Sequence, residues 1–189
     1  DLLSITDPDS EIVIKLANEF AEVHARMHAF EDIQVELYKQ KEFFVSLLPN
    51  MEVLPTDLRD ALRIAIEEMP AGDRVCHGDY HPLNVIWSTT GINAVIDWEF
   101  LGFKPEIYDV AMMIGCLGME KPQSLTGDLV YEFVKRLKES GLVAEKSWSF
   151  LFEFVLALRF AWLSDWLKRS DPEMIDLEAV YIQLLLDNR

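Results

Sequence analysis

The chain has 189 residues, of which 50% are hydrophobic and 11% aromatic, a composition that excludes a disordered segment and predicts one domain with a substantial core. Its 33 acidic residues outnumber its 17 basic residues and give a net charge of −16, which argues against a nucleic-acid or an anionic-membrane partner. The same charge suits a cationic small-molecule substrate, although solubility is the simpler explanation.

The compartment and the extent of the chain can also be inferred from its sequence. No apolar run reaches the roughly 18 residues that a membrane span needs. Two cysteines, Cys76 and Cys116, are too few for a disulfide framework, so we expect a reduced, cytoplasmic protein. The chain begins at Asp1 without a Met or a signal-like apolar stretch, so we expect a fragment that starts inside a longer protein.

Three helices are predicted in the first part of the chain. The first begins at Asp7 and Pro8, a cap followed by a proline in the first turn, and runs to about His28. Its apolar stripe has helical spacing and consists of Ile12, Leu16, Phe20, Val23 and Met27. Two more helices are predicted over about 35–48 and 57–69.

A β-hairpin is predicted near the middle of the chain. Its strands are the runs Val85–Trp87 and Ala94–Ile96, with a turn at Ser88–Gly91. Because an isolated hairpin is marginally stable in water, it must pack on helices. The sequence therefore predicts a mainly α fold with one small hairpin.

Four helices are predicted after the hairpin. They cover about 108–117, 126–140, 147–169 and 172–187. Gly141 is expected to end the second of them, and Asp171 with Pro172 repeats the cap-plus-proline start in front of the fourth.

Polar residues are concentrated at the two ends of the hairpin. The segment before it, His77 to Asn84, reads HGDYHPLN, and the second strand leads into Asp97 and Glu99. If the turn is tight, Asp79, Asn84 and Asp97 converge in space. A carboxylate at a loop tip can deprotonate an acceptor hydroxyl, and a carboxylate with an amide oxygen forms a hard-oxygen site for Mg²⁺. This combination is typical of phosphoryl transfer.

Three separated motifs in this region share the order and spacing of one enzyme family. His77–Asp79 with Asn84 resembles the HGDxxxxN loop of the aminoglycoside phosphotransferase and choline kinase family. Ile96–Glu99 resembles that family's metal-binding segment, and Pro105–Ala111 resembles its following proline and helix-opening Asp. The first predicted helix also resembles the family's Leu-His helix end, although Met27 replaces the Leu.

The resemblance implies a role for each of the three convergent residues. Asp79 would be the catalytic base or would orient the acceptor hydroxyl. Asn84 and Asp97 would hold Mg²⁺. The implied reaction is transfer of the γ-phosphoryl group of ATP to a hydroxyl of a small molecule, such as an aminoglycoside or an amino alcohol.

Three further residues receive supporting roles by the same resemblance. His77 would brace the catalytic loop, and Asp109 would hold that loop through hydrogen bonds at the start of its helix. Glu99 has two open roles, as an additional metal ligand or as a contact to a cationic substrate.

The resemblance also implies that residues 1–189 form a single unit, the carboxy-terminal catalytic lobe of a protein-kinase-like fold. The eight glycines form no G-x-G-x-x-G loop, so the amino-terminal ATP-binding lobe is expected to be absent from this chain, together with most nucleotide-binding residues. We expect such a fragment to bind nucleotide weakly and to turn over little or not at all.

Two alternatives remain open from the sequence. The first is a non-catalytic, kinase-like binding or regulatory module, although the intact Asp79, Asn84 and Asp97 argue against it. The second is a zinc hydrolase, since His77, Asp79 and His81 place three potential ligands in five residues. Three zinc ligands from one short loop would be unusual.

Overall fold

The structure, a computed structural model, describes residues 11–29, 74–88 and 91–188 together with positions 56, 59, 60 and 63. Within this part of the chain the helices are α1 (Glu11–His28), α2 (Tyr108–Glu120), α3 (Asp128–Ser140), α4 (Glu145–Trp148), α5 (Leu151–Arg169) and α6 (Pro172–Asp187). The strands are β1 (Arg74–Cys76), β2 (Val85–Trp87), β3 (Ile92–Val95) and β4 (Gly102–Lys104). The mainly α prediction is confirmed.

The first helix, α1, buries a face close to the predicted one. Val13, Leu16 and Phe20 point into the core, whereas Ile12, which we assigned to the apolar stripe, is 56% exposed. The buried face therefore starts one position later than predicted. The predicted cap at Asp7 lies outside the described residues.

The two helices predicted over 35–48 and 57–69 fall largely outside the described residues. In the second of these segments, positions 59, 60 and 63 are helical, as is position 56 just before it. The prediction over 35–48 stays a prediction.

Two antiparallel sheets of two strands each are present in the described chain. The predicted hairpin is one of them: β2 pairs with β3, with Val85 opposite Val95, and its register is irregular between Ile86 and Trp87. Its second strand begins two residues earlier than predicted, at Ile92. The other sheet pairs β1 with β4 and was not predicted, because no turn signal joins two three-residue strands so far apart in sequence.

The helix ends after the hairpin follow local chemistry. Gly141 adopts a left-handed conformation (φ 67°) and ends α3, as predicted. The Asp171 carboxylate accepts a hydrogen bond from the Met174 N–H and starts α6, with Pro172 in its first turn. The predicted helix over 126–140 begins two residues later, after a 3₁₀ turn at Pro122–Thr126.

The predicted helix over 147–169 is in fact two helices, α4 and α5. The Ser149 hydroxyl donates to the carbonyl of Lys146, and Phe150 has a non-helical backbone between the two helices. Serine competes for backbone groups in this way and disfavours a continuous helix.

The core lies where α1 packs on α3, and where α5 packs on both α2 and α6. The largest side chains that are almost fully buried include Phe20, Tyr80, Phe133, Phe154 and Phe160. The polar loop is flanked by β1 and β2, one strand from each small sheet. It packs on α1 and α2. Among the described helices, none is both long and apolar enough to cross a bilayer.

Candidate active site

The loop between β1 and β2 is anchored by Asp109, in the first turn of α2. The backbone N–H groups of His77 and Gly78 donate to its two carboxylate oxygens, at 2.8 and 2.9 Å. Burial raises the pKa of the fully buried Asp109 carboxyl, while these two N–H groups oppose that shift. Asp109 therefore holds the loop in place through these two hydrogen bonds.

Gly78 cannot carry a side chain at this point of the loop. Its φ is +88°, and an added Cβ would lie 2.3 Å from the carbonyl oxygen of Phe100 and 2.7 Å from Cε of Lys104. Both the backbone conformation and the close approach of the next segment require glycine.

His77 connects the loop to the segment that follows β3. Its Nδ1 accepts a hydrogen bond from the Asp79 N–H at 3.2 Å, so the proton of the neutral ring resides on Nε2. Nε2 donates to the carbonyl of Ile96 at 2.8 Å. The Ile96 N–H in turn donates to the carbonyl of Asn84 at 2.9 Å. The residue before Asp97 is thus held to both ends of the loop.

Asp79 and Asn84 lie in direct contact, as the sequence predicts. The Asn84 Nδ2 donates to the backbone carbonyl of Asp79 at 2.8 Å and to its carboxylate Oδ2 at 2.9 Å. His81 Nε2 lies 3.4 Å from the same Oδ2. Its Nδ1 accepts from the Leu83 N–H, and its Nε2 also lies 3.2 Å from the Asn84 Nδ2. His81 is the partner of Asp79 that the sequence did not identify.

Asp97 and Glu99 are more exposed than the loop. Asp97 has left-handed backbone angles (φ 63°, ψ 60°) that non-glycine residues adopt at a cost, and its side chain caps no helix. Glu99 lies in the 3₁₀ turn Trp98–Phe100 and is also exposed. Asp97 is therefore connected to Asn84 through the backbone of its neighbour Ile96. Glu99 is exposed to solvent.

These residues fit a hard divalent cation. Because the Asn84 Nδ2 is directed at Asp79 and His81, its Oδ1 is available as a ligand. The Asp97 carboxylate is exposed and adds a charged oxygen. Carboxylate and amide oxygens are the ligands that Mg²⁺ prefers.

The residues that could share a zinc ion in the structure differ from the three that were considered in the sequence. Both ring nitrogens of His77 are engaged, and the group close enough to share a metal is Asp79, His81 and Cys116, whose ligand atoms lie within 4.8 Å of one another. Zinc would need the lone pair of His81 Nε2, and that nitrogen already lies 3.2 Å from the Asn84 Nδ2 donor and 3.4 Å from the Asp79 carboxylate. The geometry places His81 Nε2 3.4 Å from the Asp79 carboxylate, as a close polar contact.

A cavity of about 400 Å³ opens beside the loop. Its lining includes His81, Leu83, Trp87, Leu117, Met119 and Arg159. Arg159 extends from α5 and lies 3.5 Å from the Glu178 carboxylate of α6, and both side chains are almost fully buried. No short motif marks these residues in the sequence.

The fold is similar to that of several solved structures. APH(2")-IIia in complex with GDP and kanamycin is 16% identical, with a TM-score of 0.70 over 99% of this chain and 66% of that one. The amicoumacin kinase hAmiN, in complex with AMP-PNP, Ca²⁺ and Ami, is 12% identical, with a TM-score of 0.65 over 93% of this chain and 59% of that one. A choline/ethanolamine kinase family protein from Mesorhizobium loti is 14% identical, with a TM-score of 0.65 over 90% and 60%.

At these identities the likeness establishes a common fold, and the chain spans less than two-thirds of the length of each of these proteins. No curated protein matches the chain by sequence. A model of the phosphotransferase enzyme family matches residues 4–144, which include the loop, the hairpin and Asp109. The chain therefore belongs to the phosphotransferase enzyme family.

Proposed function

We propose that this chain is the catalytic lobe of an ATP-dependent kinase that transfers the γ-phosphoryl group to a hydroxyl of a small molecule. The observation that carries the proposal is the Asp79 carboxylate, held by Asn84 and His81 next to the cavity, with Asp97 joined to the same loop. Membership of the phosphotransferase family supports the same reaction class.

The complexes of similar folds support the choice of nucleotide and metal. One neighbour is described with GDP and kanamycin, and another with AMP-PNP and Ca²⁺. We propose ATP and Mg²⁺ for this chain, with Mg²⁺ held by Asn84 and Asp97. When bound, Mg²⁺ would neutralise the charge that spreads over the phosphoryl oxygens.

The proposed mechanism assigns separate tasks to the two oxygens of Asp79. Asn84 and His81 both approach Oδ2, so Oδ1 is the oxygen that would accept the proton of the acceptor hydroxyl. His77 and Asp109 would hold the loop so that this carboxylate keeps one orientation. Glu99 would either add an oxygen to the metal site or contact the substrate.

Residues 1–189 are proposed to form one lobe, with most nucleotide contacts made by a lobe outside it, because the sequence lacks a glycine-rich phosphate loop. This chain alone would then bind nucleotide weakly. A cytoplasmic location stays a prediction based on the small number of cysteines.

The test is a thermal-denaturation titration of this chain with ATP in the presence and absence of Mg²⁺. A ligand that binds only the folded state raises Tm, by an amount equivalent to about 2.7 kcal/mol at a hundred times Kd. We expect a Mg²⁺-dependent rise in the wild type that Asp97→Asn abolishes. Asp128→Asn is the matched control, because it removes an exposed carboxylate outside the site.

Three outcomes would contradict the proposal. Equal responses of the wild type and Asp97→Asn would remove Asp97 from the metal site. Stabilisation by Zn²⁺ but not by Mg²⁺ would instead support the zinc alternative at Asp79, His81 and Cys116. A Mg²⁺ response without any phosphoryl transfer by the full-length protein would favour the non-catalytic module.

A further inference from the structure

The cavity beside the catalytic loop contacts Asp79 through two of its lining residues. His81 lines the cavity and lies 3.4 Å from the Asp79 carboxylate. Cys116 also lines it, and its Sγ belongs to the group of ligand atoms within 4.8 Å that includes Asp79. A molecule in this cavity would therefore lie against His81 and Cys116, one side chain away from the proposed base.

Most of the described cavity wall is apolar. Leu83, Val85 and Trp87 form the side next to β2, and Leu117 and Met119 of α2 form the opposite side. The carboxylate among the described lining residues is that of Glu120, which is exposed at the end of α2. Such a surface favours a ligand with an apolar body.

Arg159 adds a buried positive charge to this wall. Its Nη1 lies 3.5 Å from Glu178 Oε1, longer than a typical N–H···O hydrogen bond. Within the described chain, Arg159 Nε and Glu178 Oε2 have no hydrogen-bond partner. A guanidinium offers five donors, and the N–H on Arg159 Nε is one that this pair leaves unused.

A buried ion pair with such loose geometry does not recover its desolvation cost through mutual attraction. An oxygen-bearing ligand would supply the missing contacts, because a guanidinium binds carboxylate oxygens in a planar, two-point geometry. The Glu178 carboxylate offsets the Arg159 charge, so the selection of an anion rests on the unpartnered Nε of Arg159 and not on the net charge of the cavity.

We propose that this cavity is the acceptor subsite and that it takes a hydroxyl compound with an apolar body and an anionic oxygen group, which Arg159 binds. A polycationic acceptor would need several carboxylates around its ammonium groups, whereas the described wall offers one, Glu120, together with Arg159. The proposal rests on the proposed kinase function and narrows its acceptor class. It differs from the cationic acceptor that the net charge of the chain suggests.

Cys116 provides a local readout of cavity occupancy. It lines the cavity and is partly exposed, whereas Cys76, the other cysteine, is fully buried. Alkylation of the native chain by iodoacetamide, followed by mass spectrometry, therefore reports on Cys116. Burial raises the pKa of this thiol to about 11, so the reaction is slow enough to time.

Three probes share one apolar body and differ at one group: 3-hydroxyoctanoate, octane-1,3-diol and 1-aminooctan-3-ol. We expect 3-hydroxyoctanoate to slow Cys116 alkylation at least fivefold at saturation. The concentration of 3-hydroxyoctanoate that gives half-maximal protection should be at least tenfold lower than that of the diol. The amine should need a higher concentration than the diol. Kanamycin, as a polycation, should give less than twofold protection.

Variants test whether Arg159 is the group responsible. The double variant Arg159→Met with Glu178→Leu replaces the pair by apolar side chains, a change that such pairs often tolerate without loss of fold. We expect it to lose the tenfold preference for the carboxylate over the diol. The control, Lys135→Met with Glu132→Leu, removes a pair 3.2 Å apart on α3, outside the described cavity wall, and should keep the preference.

The proposal is overturned if no probe protects Cys116, if the amine or kanamycin protects best, or if the double variant keeps the preference. These measurements use no nucleotide, so they are independent of the Mg²⁺–ATP titration with Asp97→Asn. A carboxylate preference together with equal Mg²⁺ responses of the wild type and Asp97→Asn would leave an anion-binding cavity and remove Asp97 from the proposed metal site. The reverse result would retain the kinase and reject this acceptor class.

Discussion

The loop over residues 77–84 and the segment Asp97–Phe100 lie side by side but differ in how they are held. The loop residues His77, Asp79 and Asn84 are buried, and their polar groups are paired with one another, with Asp109 or with Ile96. In the neighbouring segment, Asp97 is exposed and has a left-handed backbone. The loop half of the proposed site is therefore fixed by hydrogen bonds, whereas the segment that contains Asp97 is exposed to solvent.

This contrast separates the two tasks of a phosphoryl transfer. A base must keep one orientation toward the acceptor, which a buried loop held by several hydrogen bonds ensures. Metal ligands must reach phosphate oxygens that arrive with the nucleotide, which an exposed carboxylate allows. We expect substitutions in the loop to change stability, and substitutions at Asp97 to change ligand response with little effect on stability.

The largest effect is expected at Asp109, the anchor of the loop. Asp109→Asn keeps the shape of the side chain but turns one acceptor oxygen into an N–H₂ group that faces a backbone N–H. Loss of charge-assisted bonds and one unsatisfied buried donor should lower the free energy of unfolding by about 4 kcal/mol. Urea denaturation measures this change.

Asp171→Asn is the control for that variant. Asp171 also accepts a backbone N–H, but at a partly buried helix cap where Asn serves as well as Asp. Its effect should stay below about 0.5 kcal/mol. If both variants lost equal stability, the loop would have no special anchor in Asp109.

A second, smaller loss is expected from Gly78→Ala. The substitution forces a side chain into a positive-φ position and against the carbonyl of Phe100, 2.3 Å from the added Cβ. We expect a loss of about 2 to 3 kcal/mol in the free energy of unfolding.

Gly141→Ala separates these two causes. Gly141 also has a positive φ, 67°, but nothing lies within 4 Å of an added Cβ. Its loss should be the conformational cost alone, about 1 kcal/mol. Equal losses at the two glycines would mean that the loop yields to the side chain, and that its packing against Phe100 is loose.

The free energy of unfolding should fall in acid because of His24. This side chain is fully buried near Tyr80, and neither of its ring nitrogens has a partner in the described chain. Burial, and then the neighbouring His28, lower the pKa of His24 well below 6.5. A lowered folded-state pKa means that its contribution to stability is complete above the unfolded pKa, about 6.5, and is lost as the pH falls through the folded pKa.

His24→Phe should remove this dependence while keeping a ring in the core. Below about pH 6.5 the wild type should lose up to about 1.4 kcal/mol per pH unit more than the variant. Urea denaturation at several pH values between 5 and 7.5 gives both curves. Parallel curves would show that His24 does not titrate on unfolding in this range.

The fold could be predicted where its determinants are local. Asp171 with Pro172 and Gly141 marked two helix ends correctly, because capping depends on a few neighbouring residues. The sheet of β1 and β4 was missed, since its pairing of Cys76 with Gly102 is made by tertiary structure. The break between α4 and α5 was missed because helical periodicity continues across it.

The residues of the proposed site also divide into those that local sequence predicts and those that only the fold brings together. Asp79 and Asn84 are five positions apart on one loop, so the motif predicted their contact. Arg159 and Cys116 reach the cavity from α5 and α2, and nothing in their local sequence indicates that they meet there. His81 was considered as a zinc ligand, and its hydrogen bond to the Leu83 N–H, which directs it toward Asp79, is visible only in three dimensions.

The smallest effect on stability is expected at Asp97, and its sign is opposite to the others. Asp97→Gly relieves a left-handed backbone at an exposed position, so we expect a gain below about 1 kcal/mol. Ser170→Gly is matched, because Ser170 is exposed and has a φ of 55° after α5. Both variants should gain similar stability, but Asp97→Gly alone should lose the Mg²⁺-dependent rise in Tm with ATP. If Asp97→Gly instead lost stability, its carboxylate would hold the segment in place, and the strained backbone could not be attributed to ligand binding.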